Sequence, residues 1–138
     1  MRILSTSFSE SEEQIRFIRD SVFGSEQGVP RDLDWDGEDA HCAHVLSEDD
    51  DGNPVGTGRM KGDGKIGRLA VLSSWRGKGL GGEMLSALIR EARARGFHRV
   101  YLHAQSQAVA FYENHGFRKA GPAFFEAGLL HVKMIKEL

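Results

Sequence analysis

The stretch RLAVLSSWRGKGLGGEML, Arg68 to Leu85, decides how this chain is read. Its first half is a short apolar run of strand type. Its second half places four glycines within six residues, Gly77, Gly79, Gly81 and Gly82, beside Arg76 and Lys78. Leu80, Met84, Leu85, Leu88, Ile89 and Ala92 then recur on one face of an amphipathic helix that ends at Gly96. A strand that runs through a glycine loop into a helix is built to hold an anion. Glycines let the backbone approach a ligand closely, and the first N–H groups of the helix lie at the positive end of its dipole.

Three anion-binding patterns use these letters. GKGLGG, Gly77 to Gly82, satisfies G-x-G-x-x-G literally, but the dinucleotide fingerprint needs its first glycine directly after a strand and a carboxylate at the end of the next one. Here SSWR intervenes, and the following strand ends in LHAQ. A phosphate-binding P-loop needs G-x-x-x-x-G-K-[ST], whereas Gly82 is followed by Glu83 and Met84. The third pattern, [RQ]-x-x-G-x-[GA], is met by Arg76, Gly79 and Gly81.

Periodicity around the loop gives the order β-α-βββ-α-β-α-β. Residues 2–7 read as an opening strand. In SFSESEEQIRFIRDSVFG, Ile15, Ile18 and Val22 share a helix face, Ser9/Glu12 or Ser11/Gln14 have capping-box spacing, and Gly24 is the expected stop. SEQGVPRDLDWDGED reads as a loop with a helical turn. HCAHVLSE and PVGTGRMKG form a hairpin about DDDGN, GKIGRLAVL adds a third strand, and RVYLHA is a buried strand. SQAVAFYENHG is a short helix, and LLHVKMIKEL the last strand.

The 138 residues suit one domain, and a net charge of -2 lacks the basic footprint of a nucleic-acid binder. No apolar run is long enough to span a membrane, and MRILSTSFSE lacks the apolar region of a signal peptide, so a cytoplasmic location is the default expectation. The single cysteine, Cys42, excludes an internal disulfide. Charge is unevenly spread: residues 26–51 hold ten carboxylates against Arg31 alone, while 59–99 is basic. That run reads either as a solvated loop or as a face whose Glu26, Asp34 and Asp36 draw a cationic substrate.

RLAVLSSWRGKGLGGEML resembles the acetyl-CoA-binding segment of the GNAT superfamily of N-acetyltransferases, in which an L-x-V strand runs into R-G-x-G-[IL]-G at a helix start. QSQAVAFYENHGF is similar to a second motif of that family, N-x-x-A-x-x-x-Y-x-x-x-G-F, with Gln105, Ala108, Tyr112, Gly116 and Phe117 on the matching positions. Ser73 stands where a proline is usual, and Gln105 where an asparagine is. VFGSEQGVPRDLDWDGEDAHCAH also looks like the V-F-x-x-E-Q-x-V-P segment of a bacterial GNAT branch called YjcF-like or ElaA-like.

The resemblance implies one α/β (α+β) GNAT domain over residues 1–138, with a mixed, mostly antiparallel sheet splayed at the cofactor strand and about four flanking helices. It implies acetyl-CoA as donor, with the pantetheine arm on Leu69, Ala70 and Val71, the diphosphate on Arg76, Gly77, Lys78, Gly79, Leu80, Gly81 and Gly82, and further contacts from Gln105 and Tyr112. A primary amine, on a small molecule or a chain amino terminus, attacks the thioester through a tetrahedral intermediate. The Val71 N–H is a candidate oxyanion donor, a role worth about 3–4 kcal/mol. Tyr112 maps to the acid that protonates the leaving thiolate, a feasible transfer between groups of pKa about 10 and about 8.5 in a dry site.

Glu26, in the loop that covers the acceptor site in this fold, is the leading candidate for the base; His103, Glu126 and His131 are the others. A non-catalytic acyl-CoA-binding module on the same fold is the alternative. Neither nucleic acid nor membrane is an expected partner, and the sheet edges of the fold allow a homodimer. HCAH does not read as a metal site, because His41 and His44 would point to opposite faces of a strand. DDDGN lacks the ligand spacing and terminal Glu of a calcium loop.

Overall fold

Ser7 starts the first helix. Its hydroxyl accepts from the Glu10 N–H at 3.2 Å and donates to the Glu10 carboxylate at 3.0 Å, so Ser7-Phe8-Ser9-Glu10 is the working cap rather than the pairs at Ser9 or Ser11. Helix α1 covers Phe8–Arg19 and buries Ile15 and Ile18. The chain does not stop at Gly24. A widened π-helical segment carries it through Asp20–Glu26, with the Gln27 N–H reaching Val22 O at 3.1 Å. A short α2, Arg31–Asp34, follows Pro30, which has no N–H to leave unpaired at a helix start.

The computed structural model describes residues 1–138 as two sheets that part from one another. Strands β1 (Arg2–Thr6), β2 (Ala43–Glu48), β3 (Pro54–Met60) and β4 (Ile66–Val71) form an antiparallel sheet in chain order. The β2–β3 turn is held by Asp49, whose Oδ1 accepts the N–H groups of Asp51 and Asn53, each at 2.9 Å. Strand β5 (Arg99–Gln105) pairs with β8 (Leu129–Glu137), which also carries β6 (Arg118–Lys119) and β7 (Phe124–Glu126). Beyond the expected order, β6 and β7 are new. They have two and three residues, too few for any period to register in sequence. A two-residue turn at Ala127 (φ 52) and Gly128 (φ 76) joins β7 to β8 with the positive φ values that right-twisted hairpins favour.

A parallel bridge between Lys65 and Tyr101, with the Tyr101 N–H on Gly64 O at 3.1 Å, is where the two sheets meet. Past it β4 and β5 are no longer paired. That is the splayed, mostly antiparallel arrangement expected from the family motifs.

Helix α3 (Leu80–Ala94) covers the sheets with the predicted face: Leu80, Met84, Leu85, Leu88 and Ala92 are buried against Val45, Met60, Val100 and Met134. Full burial of each large side chain there contributes about 1.5–3 kcal/mol. Helix α4 (Val109–Asn114) lies beyond β5 and ends before Gly116, whose φ of 89 a side chain would resist. No helix is long and apolar enough to cross a membrane.

Candidate active site

The site begins with a defect in β4. Thr57 pairs with Ala70 and Arg59 with Gly67, so the single Gly58 faces two residues, Arg68 and Leu69. A side chain at Gly58 would collide with Leu69, whose Cδ2 lies 2.6 Å from where its Cβ would stand. Arg68 takes φ 50, a left-handed conformation that costs a non-glycine residue about 1–2 kcal/mol. Its guanidinium holds it there, donating to Asp34 O at 3.2 Å and Leu33 O at 2.9 Å.

The bulge decides which backbone groups face the gap. The Leu72 N–H donates to Val55 O at 3.0 Å, which sets the phase of the β3–β4 ladder. Antiparallel bonding alternates, so Val71, opposite Gly56, turns its N–H and C=O away from β3 and toward the opening. The Val71 carbonyl is then met by Arg76 Nε at 3.0 Å.

The loop after β4 is a cradle of donors. Gly77 (φ 76) and Gly79 (φ 81) have left-handed backbones with open space where a Cβ would be. From Gly77 to Gly82 no N–H donates to any protein group; the first bond back is from the Glu83 N–H to Gly79 O, at 3.1 Å. These consecutive free donors stand at the N-terminus of a 15-residue helix with no side-chain cap, a setting that fits the diphosphate of a nucleotide cofactor. Lys78 lies over the Trp75 ring at 4.8 Å, at the edge of this loop.

A cleft of about 520 Å³ opens where β4 and β5 part. Leu69, Gln105, Ala108 and Tyr112 line it, together with Phe23, Gln27 and Leu33 from the segments after α1. Tyr112 packs edge-on to Phe111 and Phe117, with ring centroids at 5.1 and 5.8 Å. Its hydroxyl has no protein partner, and burial pushes its pKa up to about 12, so it keeps its proton. Gln105 accepts from the Gln107 side chain.

His103, Glu126 and His131 also line the cleft. His103 Nδ1 lies 3.1 Å from Glu126 Oε1, and a carboxylate there accepts, so Nδ1 carries a hydrogen and Nε2 is the nitrogen left to accept in the neutral ring. Burial opposes the Glu126 charge, but the His103 bond and the positive charge of Lys65 outweigh it and hold the carboxyl below its ordinary value. His131 Nδ1 donates to Leu129 O at 2.8 Å, and its Nε2 stands 3.9 Å from Glu126.

Glu26 sits elsewhere. Both of its oxygens bind Arg76, at 2.7 and 2.9 Å, and it is not among the residues that line the cleft. In the acidic run Asp32, Glu38, Asp50 and Asp51 are exposed, as a solvated loop would have them, but Asp34, Asp36 and Asp39 differ from either expectation. Arg19, 1% exposed, holds Asp34 at 2.8 Å and Asp39 at 2.6 Å, while Arg59, 2% exposed, holds Asp36 at 2.6 Å and Asp39 at 2.9 Å. Arg59 draws Asp36 far below the usual carboxylate range, and the arginines overcome burial to lower Asp39 as well. These aspartates are internally neutralised and offer no free charge to a cation. Nothing local signals this, because the five members of the cluster come from α1, α2, the loop after it and β3. His41 lies in a 3₁₀ turn rather than on a strand, and His44 is buried with Nε2 2.9 Å from Asp39 O.

A family described as acetyltransferase (GNAT) domain matches residues 9–138. The chain is 37% identical over 136 residues to the uncharacterized N-acetyltransferase YjcF of Bacillus subtilis, covering 94% of this chain and 96% of that one. It superposes on the crystal structure of Escherichia coli ElaA with a TM-score of 0.89 at 26% identity, over 99% of this chain and 100% of the other. An acyl-CoA N-acyltransferase from Pseudomonas aeruginosa shares the fold, with a TM-score of 0.87 at 23% identity over 99% of both chains. With an opened β4–β5 cleft beside a loop of free N–H donors, and with that match over nearly its whole length, the chain belongs to the GNAT acetyltransferase family, whose acyl donor is acetyl-CoA.

Proposed function

We propose that this protein transfers an acetyl group from acetyl-CoA to a primary amine by direct attack. The observation that carries the reading is the convergence of Tyr112 and the His103–Glu126 pair on one cleft, at the edge of the β4 strand whose Val71 backbone turns away from β3. Bound acetyl-CoA supplies the acyl group already activated as a thioester. The N–H groups of Gly77 to Gly82 hold its phosphates, Arg76 braces the loop beside them through Glu26 and the Val71 carbonyl, and the backbone from Leu69 to the Val71 N–H takes its amide arm as a missing strand would be taken.

The Val71 N–H meets the carbonyl oxygen as negative charge builds on it. Tyr112, with its phenol kept neutral by burial, gives a proton to the sulfur as the C–S bond breaks, and it is reprotonated by the proton that the nitrogen of the new amide sheds. The thiolate forms in the same dry surroundings, which raise its own affinity for that proton and narrow the gap between the two groups. His103 Nε2 takes the proton of the incoming ammonium, directly or through one water, while Glu126 fixes the imidazole tautomer. Among the candidate bases, the His103–Glu126 pair is preferred to Glu26 because it stands in the cleft and Glu26 is engaged by Arg76.

The test is thiol release from acetyl-CoA across a panel of primary amines, followed by His103→Gln and Tyr112→Phe. Turnover with at least one acceptor, reduced by both substitutions with acetyl-CoA binding retained, supports the reading. Binding of acetyl-CoA without turnover of any amine marks the protein as a non-catalytic acyl-CoA-binding module.

A further inference from the structure

The floor of the cleft is electrically spent. Three arginines face three aspartates in and behind that lining: Arg19 and Arg59 in the buried pairs, and Arg68 at 3.3 Å from Asp34 and 3.5 Å from Asp36. Lys61, Lys65 and Glu126 are the ionic groups of the lining outside that match. Lys61 leans on Asp36 at 3.7 Å, and Glu126 is engaged by His103 at 3.1 Å. Lys65 is different. It is half-buried in the wall, its ammonium has no carboxylate within 4.0 Å, and it donates no hydrogen bond. The nearby Asp63 carboxylate is taken by the Lys65 backbone N–H at 3.1 Å and by the Tyr101 hydroxyl.

Its backbone is firmly placed. The Lys65 carbonyl accepts from the Lys61 N–H at 2.8 Å, and the bridge to Tyr101 fixes it at the apex from which the cleft opens. Burial, with the charges of Lys61, Arg68 and Arg59, holds its ammonium below the ordinary lysine range, against the pull of Glu126. An anion arriving there would relieve an existing cost.

We propose that Lys65 selects an acceptor that carries a carboxylate at the end opposite its reacting amine. The inference rests on the transferase reading above. From Lys65 to the Val71 N–H, where the reacting carbonyl is held, is six residues, about 20 Å of extended strand that the bulge at Arg68–Leu69 shortens. A lysine side chain covers part of that span, so amine and carboxylate must stand several bonds apart. An ω-amino acid meets this requirement, and an α-amino acid reacting through its α-amine does not.

The experiment is calorimetric titration of the CoA-loaded protein with three five-carbon ligands: 5-aminopentanoate, pentylamine and 1,5-diaminopentane. Aminopentanoate is expected to bind tighter than pentylamine by about tenfold, the scale of one charge-assisted hydrogen bond, with the diamine weakest. Lys65→Met should erase the difference, Lys65→Arg should keep it, and Lys65→Glu should reverse it in favour of the diamine. Unchanged CoA affinity verifies that each variant is folded. A wild-type protein that binds the diamine as tightly as the amino acid, or a Lys65→Met variant with the same ranking as wild type, overturns the proposal. Thiol release measured alongside separates the two readings: carboxylate preference without release overturns the transferase alone, and release without that preference overturns the role of Lys65 alone.

Discussion

Arg76 grips Glu26 through both carboxylate oxygens, Nη1 to Oε2 at 2.7 Å and Nη2 to Oε1 at 2.9 Å, and its Nε reaches back to the Val71 carbonyl. One guanidinium thus joins the cofactor loop, the strand that faces the cleft and the segment after α1. Glu26→Gln separates positioning from proton transfer. A positioning partner, exposed as this pair is, should shift acetyl-CoA affinity by no more than about fivefold with kcat nearly unchanged. A base should cost about 10²–10⁴ in kcat. We expect the first result from steady-state kinetics in both substrates.

Tyr112→Phe should lower kcat by about 10²-fold or more, the scale of a lost general acid, and leave the dissociation constant of acetyl-CoA within a fewfold. Because burial raises the phenol to about 12, the acid form persists well above neutrality. The wild-type kcat should therefore show no downturn from this group between pH 8 and pH 10. A pH–rate profile at saturating substrates checks it.

Arg19→Met should be severely destabilising. It leaves Asp34 and Asp39 buried with half of their compensation gone, at a cost of about 3–5 kcal/mol. It also removes the cation held 3.9 Å from the centre of the Trp35 ring. Urea denaturation at neutral pH measures the loss.

Arg68→Gly tests the bulge. Glycine relieves about 1–2 kcal/mol of left-handed strain, which offsets part of what is lost with the bonds to Leu33 O and Asp34 O. Stability should still fall, by about 1–3 kcal/mol and less than for Arg19→Met, because Arg68 also faces Asp34 at 3.3 Å and Asp36 at 3.5 Å. The loop from Leu33 to Asp36 loses its tie to β4, so KM for the amine should rise about tenfold while KM for acetyl-CoA stays.

The aspartates of the arginine cluster and the His103-bound Glu126 set the response to acid. Asp36, Asp39 and Glu126 have folded-state pKa values below their ordinary ones. Groups depressed in this way stabilise the fold fully above their unfolded values, near pH 4, and lose that contribution as pH falls through the lower folded values. Unfolding free energy should be insensitive to these groups from pH 7 to 5 and decline below about pH 4. Denaturant midpoints between pH 7 and pH 2 follow it.

Much of the donor side was legible in the chain. Leu80, Met84, Leu85, Leu88 and Ala92 announce α3 by their spacing, and the glycines before it announce a backbone that exposes its N–H groups, because both are local properties of consecutive residues. Less of the acceptor side was legible. Gly24 reads as a helix stop, yet Val22 stays buried against the sheet and the chain coils on as a π-helix through Glu26. The run from Asp34 to Asp39 reads as solvated or as bait for a cation, because nothing local reveals that Arg19 and Arg59 will be buried against it.

Sequence by itself determined the order of the main elements, the face of α3 that is buried and the donor loop, since periodicity, glycine conformation and helix termini act within a few residues. Tertiary structure decided the rest. The register shift opposite Gly58 turns Val71 toward the cleft, the β7–β8 hairpin brings Glu126 to His103, and the parting of β4 from β5 at Lys65 and Tyr101 makes room for a substrate. Each joins residues that are far apart in the chain, where the governing physics is ion pairing, burial and strand register rather than local propensity.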